Sequence, residues 1–334
     1  METFFRPLRG IANLLLLRIR LNLWRIQPLR YSSRLNAIPI DRPVFLLGTQ
    51  GGWLTLLARM LHRHPNVVYP TGNSTHWAGP DELQNVMGPL LPAELTGLNH
   101  KMPPHPRYPN RNWLYATDEL LPLYRRRAAD ATPLMAQQFQ RAIRLAIGMY
   151  ARDPSQVRFV DKSQSYTVRV ALVNALLESF DPHFILVTRN PYAMVYRAAT
   201  ASTPISRLDI RLEERLRLAA QHWRNSLQCA LEDKPELKHF LMLRFEDLLQ
   251  TPEKHVRNVC SFASLPFHVD MLPQPDHRFP LGSTGSSRGD HKWYPLRPGV
   301  NRRYLEKLTT WTLEIIEPII GPLARQWQYT PEGP

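Results

Sequence analysis

The chain has 334 residues, 43% of them apolar, enough to bury a substantial core in one large domain or two small ones. Lysine and arginine outnumber aspartate and glutamate by 42 to 28, and the net charge of +14 attracts anions, whether nucleic acid, anionic lipid, a polyanionic glycan or a multiply charged nucleotide. Two cysteines, Cys229 and Cys260, exclude the disulfide framework of a small secreted domain and favour a reducing compartment.

Residues 1–38 read as a basic helical arm. From Thr3 to Ile40 there is no acidic residue, while Arg6, Arg9, Arg18, Arg20, Arg25, Arg30 and Arg34 carry half the excess charge. On a helix, Leu8, Ile11, Ala12, Leu15, Ile19, Leu23 and Ile26 form one apolar stripe, and Leu14, Leu17, Leu21 and Trp24 form a second. Two stripes suit a helix covered on two sides, by its own domain and by a membrane surface that residues 6–34 would touch; a helix docked on the core alone fits the same pattern. The apolar run stops at Arg18, far short of the ~20 residues that span a bilayer. No small-residue cleavage site follows, so a cytoplasmic protein, at most peripheral to a membrane, is expected.

Residues 39–330 read as one α/β domain. Val44 to Leu47 is a buried-strand run, followed by a Gly turn and a helical stretch from Leu54 to His64. Asn66 to Tyr69, Val157 to Val160, Phe184 to Thr188 and Phe240 to Leu243 are further short strands. Between them lie helical segments at Leu134–Tyr150, Tyr166–Phe180, Tyr192–Ala199 and Leu208–Leu231. This alternation predicts three layers, α/β/α, around a central parallel sheet whose ligands bind at the carboxyl ends of the strands. Two proline-rich stretches, Gly97 to Trp113 and Val269 to Gly299, interrupt the pattern and read as long functional loops. There is no internal repeat, which argues against tandem domains.

The first chemical signal is the turn Gly48-Thr49-Gln50-Gly51-Gly52-Trp53-Leu54-Thr55 between a strand and a helix. Glycine lets the backbone approach a phosphate, and helix-N-terminal N–H groups point at it. As a nucleoside-triphosphate loop it fails, because Trp53 and Leu54 stand where the second Gly and the Lys belong. A plain tight turn is the competing reading. The second signal is a strand ending in Thr188-Arg189-Asn190-Pro191, where Pro191 opens a helix that carries Arg197 two turns along. Two arginines so placed can clamp a phosphate monoester with forked donors.

Together these motifs resemble the sulfotransferase superfamily that uses 3′-phosphoadenosine-5′-phosphosulfate. Its members have a Gly-x-Pro/Gln-Arg/Lys-Ser-Gly-Thr-Thr-x-Leu loop, similar to Gly48 through Leu57, and a strand ending in Arg-Asp/Asn-Pro, similar to Arg189 to Pro191. Leu243-Arg244-Phe245-Glu246-Asp247-Leu248 resembles their Arg-Tyr-Glu-Asp-Leu strand end, and order and spacing match from about residue 43 to about residue 310. The resemblance implies a P-loop NTPase-like sulfotransferase fold. It implies that Gln50, Gly51, Gly52, Trp53, Leu54 and Thr55 cradle the 5′-phosphosulfate, that Arg189 and Arg197 bind the 3′-phosphate, and that Lys292, in His291-Lys292-Trp293, closes over the nucleotide. Val160-Asp161-Lys162-Ser163 resembles the segment whose lysine faces the transferring group, making Lys162 the catalytic cation. The family also needs a base; among Thr71 to Trp77 only His76 has a suitable ordinary pKa, with Asp81 and Glu82 following, although a histidine that merely hydrogen-bonds a loop is equally consistent.

The departures are as informative. Gly51, Gly52, Trp53 and Leu54 replace the usual Arg/Lys, Ser, Gly and Thr, so the loop has lost its cation, and Arg197 stands where the family has Ser. The expected function is transfer of a sulfuryl group to a hydroxyl or amine of a saccharide, lipid or other small molecule, with Lys101, Arg107 and Arg111 favouring an anionic or saccharide acceptor. A non-catalytic relative that binds a nucleotide or polyanion is the alternative. No metal is expected, since His62 and His64 point to different sides of a helix. Neither a nucleic-acid-binding fold nor a hydrolase Gly-x-Ser-x-Gly elbow is present in the sequence.

Overall fold

Successive residues face opposite ways in a strand, and in this chain both faces find a partner. The computed structural model describes residues 33, 35–70, 81–96, 107–108, 113–151, 153–201, 203–274 and 295–333. Strands β1 (Val44–Leu47), β2 (Val67–Val68), β3 (Arg158–Asp161), β4 (His183–Thr188) and β5 (His239–Arg244) form one parallel sheet in the order β2-β3-β1-β4-β5. The longer helices are α1 (Leu54–His62), α2 (Pro133–Tyr150), α3 (Val170–Leu177), α4 (Pro191–Thr200), α5 (Leu212–Asp233), α6 (Pro252–Phe262) and α7 (Thr310–Gln326).

Val44 and Leu46 of β1 and Ile185 and Val187 of β4 face one side, where they pack with Leu57 and Leu61 of α1 and Val256 and Val259 of α6. Phe45, Leu47, Phe184 and Leu186 face the other, against Phe139 and Ile143 of α2 and Leu172 and Leu176 of α3. This is the expected α/β/α layering, with a parallel sheet buried on both faces. A third cluster, around Trp223, Ala198 and Ile316, joins α4, α5 and α7. The carboxyl ends of β1, β3 and β4 therefore lie side by side on one rim.

The helix expected over Tyr166–Phe180 is broken at Arg169, whose φ of −139° and ψ of 19° are not helical. Its buried guanidinium donates instead to the Tyr124 carbonyl at 2.8 Å. Helix α7 holds Pro318 and Pro322, residues that argue against a helix in sequence. Of the basic arm only its end is described, where Leu35 and Ile38 dock on the core; the striped segment from Leu8 to Ile26 lies outside the described residues. No described helix is long and apolar enough to cross a membrane.

His222 of α5 is fully buried, packs edge-on against Tyr115 at 4.7 Å, and has no partner for either ring nitrogen among the described residues. Burial lowers its pKa from 6.5 to about 3. The unfolded chain therefore binds a proton between about pH 6.5 and pH 3 that the folded chain refuses, so stability is lost as pH falls through that window. At pH 5 the loss is ~2 kcal/mol relative to pH 7.5. The difference in unfolding free energy between the two pH values, from denaturant titrations, should shrink by about that amount in His222→Phe; an unchanged pH dependence would show that His222 is not the group responsible.

Candidate active site

The turn after β1 is shaped by conformations and contacts that its sequence does not advertise. Gly48 adopts φ +150°, and a Cβ there would lie 2.5 Å from the Val187 carbonyl oxygen of β4. Its N–H donates to Thr167 Oγ1 at 2.8 Å, and the Gly52 N–H closes the turn on the Thr49 carbonyl at 2.9 Å. Trp53 then enters α1 in the left-handed region, φ 64°, and no side chain caps the helix. That conformation costs a bulky residue on the order of 1 kcal/mol or more. The indole is used: its ring lies 5.1 Å from that of Phe245 and 4.9 Å from the Arg189 guanidinium carbon. Leu54 points into the core, so it can offer a ligand only backbone, whereas Thr55 is partly exposed.

Gln50 is buried and its Oε1 accepts from the Trp113 N–H, while the Trp113 ring covers Gly51. Gly51 has φ +86°, and an added Cβ would meet that ring at 2.7 Å. Gly51→Ala should therefore displace Trp113 and destabilise the fold by ~1–2 kcal/mol. A shifted tryptophan emission spectrum with a lowered melting temperature is the expected result; unchanged values would mean that the ring does not rest on this backbone.

Arg189 follows β4 and is completely buried, held by four residues. Its Nε donates to Asn301 Oδ1 at 2.8 Å, its Nη1 donates to the Gly51 carbonyl at 3.0 Å, and Trp53 and Phe245 cover its faces. Arg197, on α4, lies with its guanidinium carbon 5.5 Å from the centre of the Trp113 ring. Among the described residues, Arg189 Nη2 and Arg197 Nη1 are buried without a hydrogen-bond partner. Burial first, and then the charge of Arg197, lowers the Arg189 pKa to about 9, and burial lowers that of Arg197. A buried guanidinium pair with a free donor on each member is an unsatisfied cationic site that a phosphate monoester would complete.

Lys162 follows β3, whose Asp161 is the register partner of Phe45, so it stands on the same rim as the β1 turn. Its Nζ lies 2.7 Å from Asp81 Oδ1 and 3.5 Å from Glu82 Oε1, and Asp81 Oδ2 accepts from Arg59 Nη2 at 2.8 Å. Burial works against the ammonium, but the two carboxylates outweigh it and raise the Lys162 pKa. Burial likewise works against the Asp81 carboxylate, and Lys162 and Arg59 outweigh that effect and hold its pKa below the ordinary value. Asp161 beneath them is pushed up to about 6 by burial, although the Leu83 and Ser163 N–H groups support its charged form at 2.8 and 3.1 Å. Lys162 is thus a permanent cation, suited to stabilising negative charge rather than to releasing a proton.

A model of the sulfotransferase family matches residues 43–269. The chain belongs to that family. The sulfotransferase STF9 from Mycobacterium avium is 15% identical, with 99% of this chain and 88% of that one covered and a TM-score of 0.53, and it shares the fold. The sulfotransferase domain of the Synechococcus PCC 7002 olefin synthase is 19% identical over 88% of this chain and 98% of its own, with a TM-score of 0.48. Among curated proteins no match is found.

For this sulfotransferase, the structure brings Gln50, Gly51, Trp53, Arg189 and Arg197 into one contact network, with Lys162 on the neighbouring strand end. His76 and Lys292 lie outside the described residues, as do Lys101 and Arg111. Arg107 pairs with Glu119 at 3.5 Å and with Glu214. No local pattern places Arg59, Asp81 or Glu82 at Lys162, or Trp113 on the turn. Arg59 carried no motif, and Asp81 and Glu82 were separated from β2 by a stretch with no carboxylate. The β4–β5 register also sets His183 beside His239, a pairing that their separation in sequence hides. With Asp181 these form a group able to hold a metal ion, at the amino ends of the strands, opposite the arginines. Their rings stack at 4.1 Å and Asp181 already pairs with Lys238 at 2.7 Å and His239 at 3.0 Å.

Proposed function

We propose that this protein transfers a sulfuryl group from 3′-phosphoadenosine-5′-phosphosulfate to a hydroxyl or amine acceptor. The observation that carries the reading is a pair of buried donors, Arg189 Nη2 and Arg197 Nη1, that have no partner among the described residues and lie next to the β1–α1 turn. These residues fit a nucleotide bearing a 3′-phosphate: the arginines take that group, and the turn and the start of α1 offer backbone N–H groups to the 5′ end. The donor supplies an activated sulfuryl group. Lys162, kept protonated by Asp81 and Glu82, stabilises the negative charge that develops on the leaving oxygen. Arg59 supplies a second cation beside Asp81, which offsets part of the charge missing from the turn. Asp81 is committed to two cations; the acceptor's proton would go to Glu82, whose Oε1 lies 3.5 Å from Lys162 Nζ, or to the base expected from sequence, His76. The basic sequence of residues 6–34 fits attraction to an anionic membrane surface.

Calorimetric titration of the full chain with 3′-phosphoadenosine-5′-phosphate and with adenosine 5′-monophosphate tests the reading. Micromolar affinity for the first and at least ~30-fold weaker affinity for the second are expected, the difference being the charged contacts to one phosphate. Equal affinity for both, or no binding of either, rejects it.

A further inference from the structure

The arginines of the 3′-phosphate site do not orient themselves. A guanidinium offers five N–H groups, and only a fixed fork presents a chosen pair to a phosphate. For Arg189 the fixing groups come from far along the chain. Its Nε is held by Asn301 Oδ1 at 2.8 Å, and Asn301 is held by its Nδ2, which donates to Glu246 Oε1 at 2.6 Å. The same Glu246 oxygen accepts from the Asn190 N–H at 2.9 Å, and Oε2 accepts from the Tyr329 hydroxyl at 3.0 Å. Glu246 and Asn301 are both buried, so this relay is shielded from competing water. Three residues on, Tyr304 lies beside the guanidinium of Arg197, and Arg197 Nη1 has no partner among the described residues. The turn Pro298–Asn301 and the short helix Arg302–Leu305 thus reach both arginines while placing no acceptor on Arg189 Nη2 or Arg197 Nη1.

We propose that Asn301, anchored on Glu246, and Tyr304 are positioning residues that aim the free N–H groups of Arg189 and Arg197 at one phosphate monoester. The inference rests on the nucleotide reading given above and assigns a role to a segment outside the three motifs that suggested it. It follows that discrimination for the 3′-phosphate, rather than nucleotide affinity as a whole, depends on this segment. In Asn301→Ala the Arg189 Nε loses its acceptor and turns to find another, so the fork no longer faces the ligand.

The test is the ratio of affinities for 3′-phosphoadenosine-5′-phosphate and adenosine 5′-monophosphate, measured on the full chain. Asn301→Ala should lower that ratio by ~10-fold, and Tyr304→Phe by ~3-fold, with the monophosphate affinity unchanged, which also shows that the variants are folded. Glu246→Gln keeps an oxygen for Asn301 and Asn190, and should retain the ratio to within ~3-fold. A ratio that survives Asn301→Ala, or a variant that weakens both nucleotides equally, overturns the positioning role while leaving the site reading intact. A wild-type protein that does not distinguish the two nucleotides overturns the site reading, and the positioning role with it.

Discussion

Lys162→Met will lower the rate of sulfuryl transfer by ~10²–10³-fold while changing the affinity for 3′-phosphoadenosine-5′-phosphate by less than ~3-fold. The expectation follows from where the charge sits. Lys162 is buried between Asp81 and Glu82 on the rim shared by β1, β3 and β4, and its ammonium is held charged by those carboxylates. A cation fixed in a site of low polarity is worth most where charge develops during transfer and little to a nucleotide already clamped elsewhere. Methionine preserves the length of the side chain, and Arg59 remains to neutralise Asp81, so the stability cost should stay at ~1–3 kcal/mol, below that of stranding a buried charge outright. Single-turnover release of 3′-phosphoadenosine-5′-phosphate, with mixed hydroxyl and amine acceptors, reads the rate. Transfer that persists in Lys162→Met removes the lysine from the mechanism; a wild type that binds but never transfers supports the non-catalytic alternative instead.

Arg189→Ala should weaken binding of 3′-phosphoadenosine-5′-phosphate by ~30-fold or more, about 2 kcal/mol for a charge-assisted contact. The free protein tolerates an almost fully enclosed cation here because aromatic faces and neutral oxygens surround it, and Glu246 adds a nearby negative charge. The cation is therefore present before the ligand arrives, and removing it subtracts interaction without a compensating gain in order. Calorimetry gives the affinity and a thermal melt checks the fold. Binding that survives the substitution would place the 3′-phosphate elsewhere.

Much of the scaffold was legible because it rests on short-range pattern. Val44 to Leu47 and Phe184 to Thr188 are continuous apolar runs, as strands buried on both faces must be, and the strand-helix alternation fixed the layering. Arg189 and Arg197 were legible because Asn190 and Pro191 mark a helix start between them, and Asn190 Oδ1 does accept from the Tyr192 and Ala193 N–H groups. What escaped depends on distance along the chain. Asn301 meets Arg189 across 112 residues, and Lys162 meets Glu82 across 80, separations that no local pattern encodes. Helix α7 escaped for the opposite reason: its local signal, Pro318 and Pro322, is unfavourable, and packing of Ile315, Ile316 and Ile320 overrides it.

Trp53 has a consequence for how this family member can be altered. Where the family motif that the turn resembles has a small residue, this chain has an indole, at positive φ, with the Arg189 guanidinium resting on it. Turn and helix α4 have in that sense exchanged properties: the positive charge absent from the turn is present at Arg197, and the bulk absent from an ordinary phosphate turn supports Arg189. Substitutions at the two places are within contact distance and will not add. A chimaera carrying a relative's turn alone would leave Arg189 without its floor, so the turn and the β4–α4 junction constitute a single module that can be transplanted only as a pair.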